Sequence, residues 1–276
     1  MTSERVPAPS TAPTDVPAIL RLLTADPGRP RLTWYGDDGE RVELSGAVLE
    51  NWVNKTTNLL VEELDAGPGT RVGLELPAHW RTVLWALAAW RAGATVVLPG
   101  PDGHAPGDLD VLVTSRPQPP VAAGRGPALV VVTLAALARR AVDRVPAGAI
   151  DAAAAVMTYG DRLGWVPPAD PTADALERAD AAAVTHAGLA TWWTAGEPRE
   201  RVLLAASSDV GAWLAQVVGS LAADGSLVLL SPARTAPPAD TPTAADDQRE
   251  DAQGRARAWL ARLAADERVT RELVGT

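Results

Sequence analysis

Short apolar strands alternate with amphipathic helices along this chain of 276 residues, and that alternation leaves few folds open. RVGLEL (71–76) has the make-up of a buried strand. Pro77 opens a helix that runs to Arg91, Gly93 takes the position just past its end, and TVVL (95–98) is the next strand. Strand, crossover helix and strand make a βαβ unit, which builds parallel sheet with a right-handed crossover. The pattern returns in RVLLAA (201–206), a helix over 208–223 and SLVLLS (226–231). DVLVT (110–114) and ALVVV (128–132) are further buried-type strands, the second leading into a helical TLAALARRA. The chain is therefore α/β, with a mainly parallel central sheet flanked by helices.

The remaining segments fit around that frame. Residues 1–15 are polar and rich in Pro, Ser and Thr, the composition of a disordered tail, and a short helix over 16–25 follows. LTWYGDDGERVEL reads as a hairpin turning at Asp37-Asp38-Gly39. Ser45 is an N-cap for a long helix to Asp65, whose Val48, Leu49, Trp52, Val53, Thr56, Leu59 and Leu60 form one buried stripe. Residues 140–180 have weak periodicity and are assigned no element. The α/β domain is placed at 16–231, an acidic low-complexity linker at 232–253, and a last helix with a possible strand at 254–276.

Composition excludes several function classes. Lys and Arg total 25 against 34 Asp and Glu, a net charge of −9, so no nucleic-acid groove or anionic membrane surface is expected. The chain has no cysteine, which removes disulfides, thiolate nucleophiles and sulfur-bound metals. No apolar run approaches the roughly 20 residues that span a bilayer, and no apolar signal core is seen, so a cytoplasmic protein is expected. Lys55 is the only lysine. There are ten Trp and no Phe. Trp80, Trp85 and Trp90 point in diverging directions around one helix, which suggests that some lie on an exposed partner or ligand surface.

Residues 32–98 and 184–231 carry a resemblance. LTWYGDDGERVELSGAVLENWVNKTTNLLVEEL, then GPGTRVGLELPAHWRTVLWALAAWRAGATVVLPGP, is similar to the opening of the adenylate-forming superfamily of acyl-CoA synthetases, adenylation domains and luciferases. Pro68-Gly69, Leu76-Pro77, Arg91-Ala92-Gly93-Ala94 and Pro99 fall in that family's order. Val184-Thr185-His186 resembles its "VTH" segment, and ERVLLAASSDVGAWLAQVVGSLAADGSLVLLS a later βαβ unit. The resemblance implies the N-terminal region of such an enzyme, truncated and degenerate, of the kind found in short actinobacterial ligase-like proteins.

The same resemblance implies a Ser/Thr/Gly-rich, lysine-bearing loop before Val184 to wrap the phosphates of ATP. Here that place reads ALERADAAAVTHAGL, without a glycine-rich run or a lysine, and with Asp174, Glu177 and Asp180 to repel phosphate. The family's later Tyr-Gly-x-Thr-Glu and Thr-Gly-Asp segments are not found in these residues either. Ser207, Ser208 and Asp209 stand where the family has a histidine, ahead of Gly211.

Those residues read first as a helix N-cap and second as an anion-binding helix start. With His186 they would make a hydrolase site, but no G-x-S-x-G elbow supports that. His79 reads first as a surface histidine and second, through the resemblance, as a residue where the family approaches its substrate. Asp102, His104, Asp108 and Asp110 form an oxygen-rich loop without metal-ligand spacing, and Lys55 reads as solvated. No catalytic residue, metal site or cofactor is assigned. Ligand contacts are assigned to His79, Ser207, Ser208, Asp209 and Gly211. The expectation is a non-catalytic accessory protein that meets a protein partner or self-associates. The alternative is a binder of an acyl, aryl, AMP or CoA ligand, or a partial ligase completed by a partner; an enzyme of unrelated chemistry ranks last.

Overall fold

The computed structural model describes residues 12–37, 39–100, 103–116, 126–141, 145–235 and 246–273. Asp15 caps the first helix, α1 (Val16–Thr24), by accepting the Ala18 amide hydrogen. The hairpin follows as β1 (Pro30–Tyr35) and β2 (Arg41–Ser45); its Asp38 lies outside the described residues. Ser45 then accepts the Val48 N–H and caps α2 (Gly46–Leu64). Next come β3 (Arg71–Glu75), α3 (Trp80–Ala92), β4 (Thr95–Val97), β5 (Val111–Thr114) and β6 (Ala128–Val131). Gly93 ends α3 in the left-handed region, φ 82°, which glycine adopts without strain.

The second half begins with β7 (Ile150–Asp151), α4 (Ala152–Ala155), β8 (Asp174–Arg178) and β9 (Ala181–Thr185). It continues through α5 (Leu189–Trp192), β10 (Arg201–Ala205), α6 (Val210–Ala222) and β11 (Ser226–Leu230). It closes with α7 (Pro232–Thr235), α8 (Asp246–Asp266) and β12 (Arg271–Leu273). Thus the stretch read as a linker, 232–253, contains α7 and the start of α8, while 236–245 lie outside the described residues.

The strands form two sheets rather than one central sheet. A five-stranded sheet has the order β12-β10-β11-β1-β2, and a seven-stranded sheet the order β7-β6-β5-β3-β4-β8-β9. All pairings are parallel except β1–β2 and β8–β9. α3 packs on β3 and β4 of the larger sheet, α6 packs on β11 of the smaller, and α3 also meets α1, α2 and α6. One continuous core joins both sheets through these helices. A second, smaller cluster under α8 covers the other face of the five-stranded sheet.

Twelve of the thirteen α3 residues are buried, so this helix is covered on every side. That explains the tryptophans. Trp80, Trp85 and Trp90 diverge around α3, yet each is buried, because each direction leads into a different neighbour. Trp34, Trp193 and Trp213 are buried as well. The exposed aromatic surface expected from the sequence is thereby corrected: Trp165 is the one tryptophan among the described residues that stands out in solvent.

Two further expectations change. TLAALARRA is not a helix, because buried Arg81 takes the carbonyl oxygens of Leu134, Ala135 and Ala136, which a helix would need for itself. Glu40 accepts the Ala136 N–H at 2.6 Å and fixes the same segment. Lys55 is not solvated but donates to the Tyr159 carbonyl and pairs with Asp161 at 2.8 Å. Beside it Asn54 and Asn58 donate to carbonyls of residues 160–162, so the polar stripe of α2 holds the chain that precedes β8.

At the far edge Glu267 accepts hydrogen bonds from Tyr35, Arg41 and Arg201, and so fastens the end of α8 to the sheet. Burial opposes ionisation of this carboxyl, but the three donors outweigh it and hold its pKa below the usual range.

Candidate functional site: a cleft at the strand ends

A cavity of about 970 Å³ opens where the carboxyl ends of both sheets come together. Its wall is Glu75 and Leu76 after β3, Leu98 after β4, Arg116 after β5, Arg178 at the end of β8, and Ala206 after β10. Parallel sheets place their loops, and hence their ligand crevices, at this end of the strands. The amino end of α6 completes it.

Asp209 is the N-cap of α6, its Oδ1 accepting the Ala212 N–H at 2.9 Å. Ser207 Oγ accepts the Asp209 N–H at 3.1 Å and shapes the turn before it. Ser207, Ser208, Asp209 and Gly211 all line the cleft. Gly211 is needed there as a close approach: a Cβ at this position would lie 3.3 Å from Cδ and Nη1 of Arg178. Arg178 therefore lies across the amino end of α6, where it also pairs with Asp180 at 3.6 Å.

His79 takes a different place. It is 5% exposed, stacks edge-on against Trp34 at 4.4 Å, and does not line the cleft, although its neighbours Pro77 and Ala78 do. The surface reading of this residue is corrected. Its Nδ1 accepts the Arg81 N–H at 3.1 Å, capping α3. Burial, then the Arg81 charge, pushes its pKa down to about 3, so the ring is neutral and carries its proton on Nε2.

A histidine whose folded pKa lies below its unfolded value of about 6.5 binds its proton more readily in the unfolded chain. Its stabilising neutral form is fully present above pH 6.5 and is overtaken as pH falls toward 3. Unfolding followed by urea is expected to show stability falling by up to about 1.4 kcal/mol per pH unit between pH 6 and 4. The His79→Asn variant, which keeps a capping acceptor, should show a shallower fall; an identical slope would remove His79 as the source.

His186 accompanies none of these groups. Its Nε2 lies 3.1 Å from the Gly93 carbonyl oxygen, at the carboxyl end of α3, whereas the cleft borders the amino end. Thirteen helical residues separate the two ends by about 20 Å, so the Ser207–His186 hydrolase arrangement is not formed. In the loop after β4, Asp110 accepts the Arg71 N–H at 2.8 Å and His104 Nδ1 lies 3.3 Å from Glu75 Oε1. Asp102 lies outside the described residues.

The place expected for a phosphate-wrapping loop is now visible. β8 and β9 pair as an antiparallel hairpin, with Arg178 opposite Ala181, so the turn between them is Ala179 and Asp180 alone. Both residues line the cleft. Glu177, another of the three acids expected to repel phosphate, is engaged by Arg71 at 2.6 Å.

No family model matches the chain. Solved structures do. An acyl-CoA synthetase of Brucella canis superposes with a TM-score of 0.55 at 17% identity, over 78% of this chain and 46% of that one. The chain has the fold of the acyl-CoA synthetases. The same synthetase fold appears in acetoacetyl-CoA synthetase from Streptomyces lividans (TM-score 0.55, 18% identity, 79% of this chain and 38% of that one). It appears again in an artificially fused adenylation–PCP di-domain from Klebsiella oxytoca (TM-score 0.54, 16% identity, 94% and 42%).

The chain thus spans less than half the length of these structures. By sequence, a Mycobacterium tuberculosis protein named as a TIGR03089 family protein is 39% identical over 168 residues, 58% of this chain and 66% of that protein. Among the described residues, no helix of this synthetase fold is long and apolar enough to cross a membrane.

Sequence reasoning missed Glu75, Arg116 and Arg178 as cleft residues. Each is a charged residue at the end of a strand, which is a usable signal only once the strand order is known.

Proposed function

We propose that this chain is an accessory protein on the synthetase fold that binds a small organic ligand in the cleft and does not adenylate it unaided. The observation that carries this reading is the two-residue turn Ala179–Asp180 between β8 and β9. Phosphate wrapping needs several consecutive backbone N–H groups and a cation. A two-residue turn ending in a carboxylate supplies neither, while the rest of the cleft is built. Arg178, with the amino end of α6, gives the cleft a side that suits a carboxylate or a single phosphate, as in an acyl or aryl acid, AMP or CoA. The reading of the tryptophans as a partner surface loses its support, because they are absorbed in the core.

The test is thermal unfolding of the full chain with ATP–Mg²⁺, AMP, coenzyme A, several acyl and aryl acids and their CoA esters. At 100 times its dissociation constant a cleft ligand adds about 2.7 kcal/mol, which is several degrees in Tm. A dose-dependent rise with an acid, AMP or a CoA compound is expected, together with no acid-dependent exchange of pyrophosphate into ATP. Pyrophosphate exchange by the purified chain would overturn the accessory reading, and a panel without any rise would overturn ligand binding.

A further inference from the structure

Glu75 ends β3 on the cleft wall, and its side chain is 7% exposed. Oε1 accepts the Ala105 N–H at 3.2 Å and lies 3.3 Å from His104 Nδ1. Oε2 is buried and accepts nothing. Buried carboxylates are normally met on both oxygens, and those that hold a charge are normally paired. Among the described residues no arginine or lysine does this for Glu75, and His104, its ion-pair neighbour, meets Oε1 and leaves Oε2 unmet; Arg71, the nearest arginine in sequence, is spent on Glu177 and on the carbonyls of Pro106 and Asp108.

We infer that Glu75 is the recognition point for a positively charged nitrogen, a primary ammonium or an amidinium, on the molecule that occupies the cleft. This rests on the reading of the cleft as a ligand site. A cationic donor suits the orphaned oxygen better than a hydroxyl, because a charge-assisted hydrogen bond is shorter and about twice as strong. The last torsion of a glutamate is soft, and a turn that brings Oε2 to the cleft exchanges the Ala105 N–H contact of Oε1 for the ligand nitrogen.

The sheet order sets the rest of the ligand. β3 lies between β5 and β4, and β8 is the strand beyond β4. With strands about 4.8 Å apart, Arg116 stands roughly one strand from Glu75 and Arg178 roughly two, on opposite sides. Arg116 and Arg178 thus come from strands on either side of Glu75, and Arg178 reaches toward the amino end of α6. A compound whose cationic end sits at β3 can direct an acidic or polar end toward Arg178 and α6.

Calorimetric titration of the full chain with tryptamine and with indole-3-ethanol, its uncharged counterpart, tests this directly. Tryptamine should bind at least tenfold more tightly, and Glu75→Gln, checked by circular dichroism and Tm, should bring the ratio near one. If that variant does not fold, Glu75→Asp, which withdraws the carboxylate by one methylene, should reduce the ratio below threefold. Equal affinity for amine and alcohol, no binding of the amine, or a ratio that survives in the folded variant each overturns the inference. Indole-3-propionate is titrated alongside: binding of the acid without amine preference overturns this inference alone, and no binding by any of the three compounds overturns the cleft as a ligand site as well.

Discussion

Gly219→Ala should remove several kilocalories of stability, and Gly219→Val should yield no soluble folded chain. In a helix interior the exchange of Gly for Ala ordinarily stabilises, by roughly 0.5–1 kcal/mol. At Gly219 in α6 the sign reverses. A Cβ there would fall 1.6 Å from the carbonyl oxygen of Thr194 and 2.6 Å from its carbon. Neither atom can give way, because Thr194 N–H donates to the Ala215 carbonyl at 3.1 Å and so lies flat on the helix. A Cβ on Gly196, before β10, or on Gly225, before β11, would also approach Ser220, at 3.1 Å and 2.6 Å, so both turns are seated on α6 by missing side chains.

Overpacking costs about 1–3 kcal/mol where side chains can adjust. A clash with backbone should exceed about 3 kcal/mol for alanine. Gly254 in α8, where an added Cβ would meet nothing within 4 Å, is the matched control and should gain stability on the same exchange. Chemical denaturation of the two alanine variants beside the parent decides it: a Gly219→Ala chain as stable as the parent would show that this packing is wrong.

Asp224→Ala is the second large effect, about 3–5 kcal/mol. Asp224 pairs with Arg31 at 2.7 Å, and with Arg29 and Arg199 at 3.5 Å each. Arg31 is only 1% exposed, so it loses its counter-charge where water cannot replace it. Its remaining bonds, to the carbonyls of Leu23, Asp224 and Gly225, are to neutral acceptors. Asp224 also has φ 58°, a conformation that asparagine tolerates better than alanine, so Asp224→Asn isolates the loss of charge from backbone strain. Adding Arg31→Met to Asp224→Ala should recover part of the loss, because removing both members of a buried pair costs less than removing one. A loss below about 1 kcal/mol for Asp224→Ala, or no recovery in the double variant, would refute the account.

The elements that a reader finds in the sequence are those with strong local punctuation. α2 shows its Ser45 cap and its apolar stripe, α3 its Gly93 terminus, and β10, α6 and β11 their contrast of apolar runs with an amphipathic helix. The division into two sheets is not local. It depends on Leu32 finding Leu227, a pairing that no window of residues contains. β9 is hidden for a different reason: Ala181, Ala182 and Ala183 have no strand preference of their own, and only pairing to β8 makes them a strand.

The loss of the expected helix after β6 turns on Arg81, which reaches it from α3. At the cleft, Ser207, Ser208, Asp209 and Gly211 stand out because polar and small residues follow a buried strand. His79 looks similar in sequence, but its ring is directed into the core against Trp34. Glu75, Arg116 and Arg178 come from three strands, and only the order of those strands brings them to one wall.

The pairing of β1 with β11 also has a consequence for how the chain is made. β1 leaves the ribosome about 200 residues before its parallel partner. At 5–20 residues per second, the hairpin of β1 and β2 waits roughly 10–40 s with one edge and its apolar face unsatisfied. α3, which is buried on every side in the finished protein, waits with it. Vectorial synthesis therefore exposes Leu32, Trp34 and the tryptophans of α3 until the last quarter of the chain arrives, and holdase chaperones that recognise apolar segments have that interval in which to act.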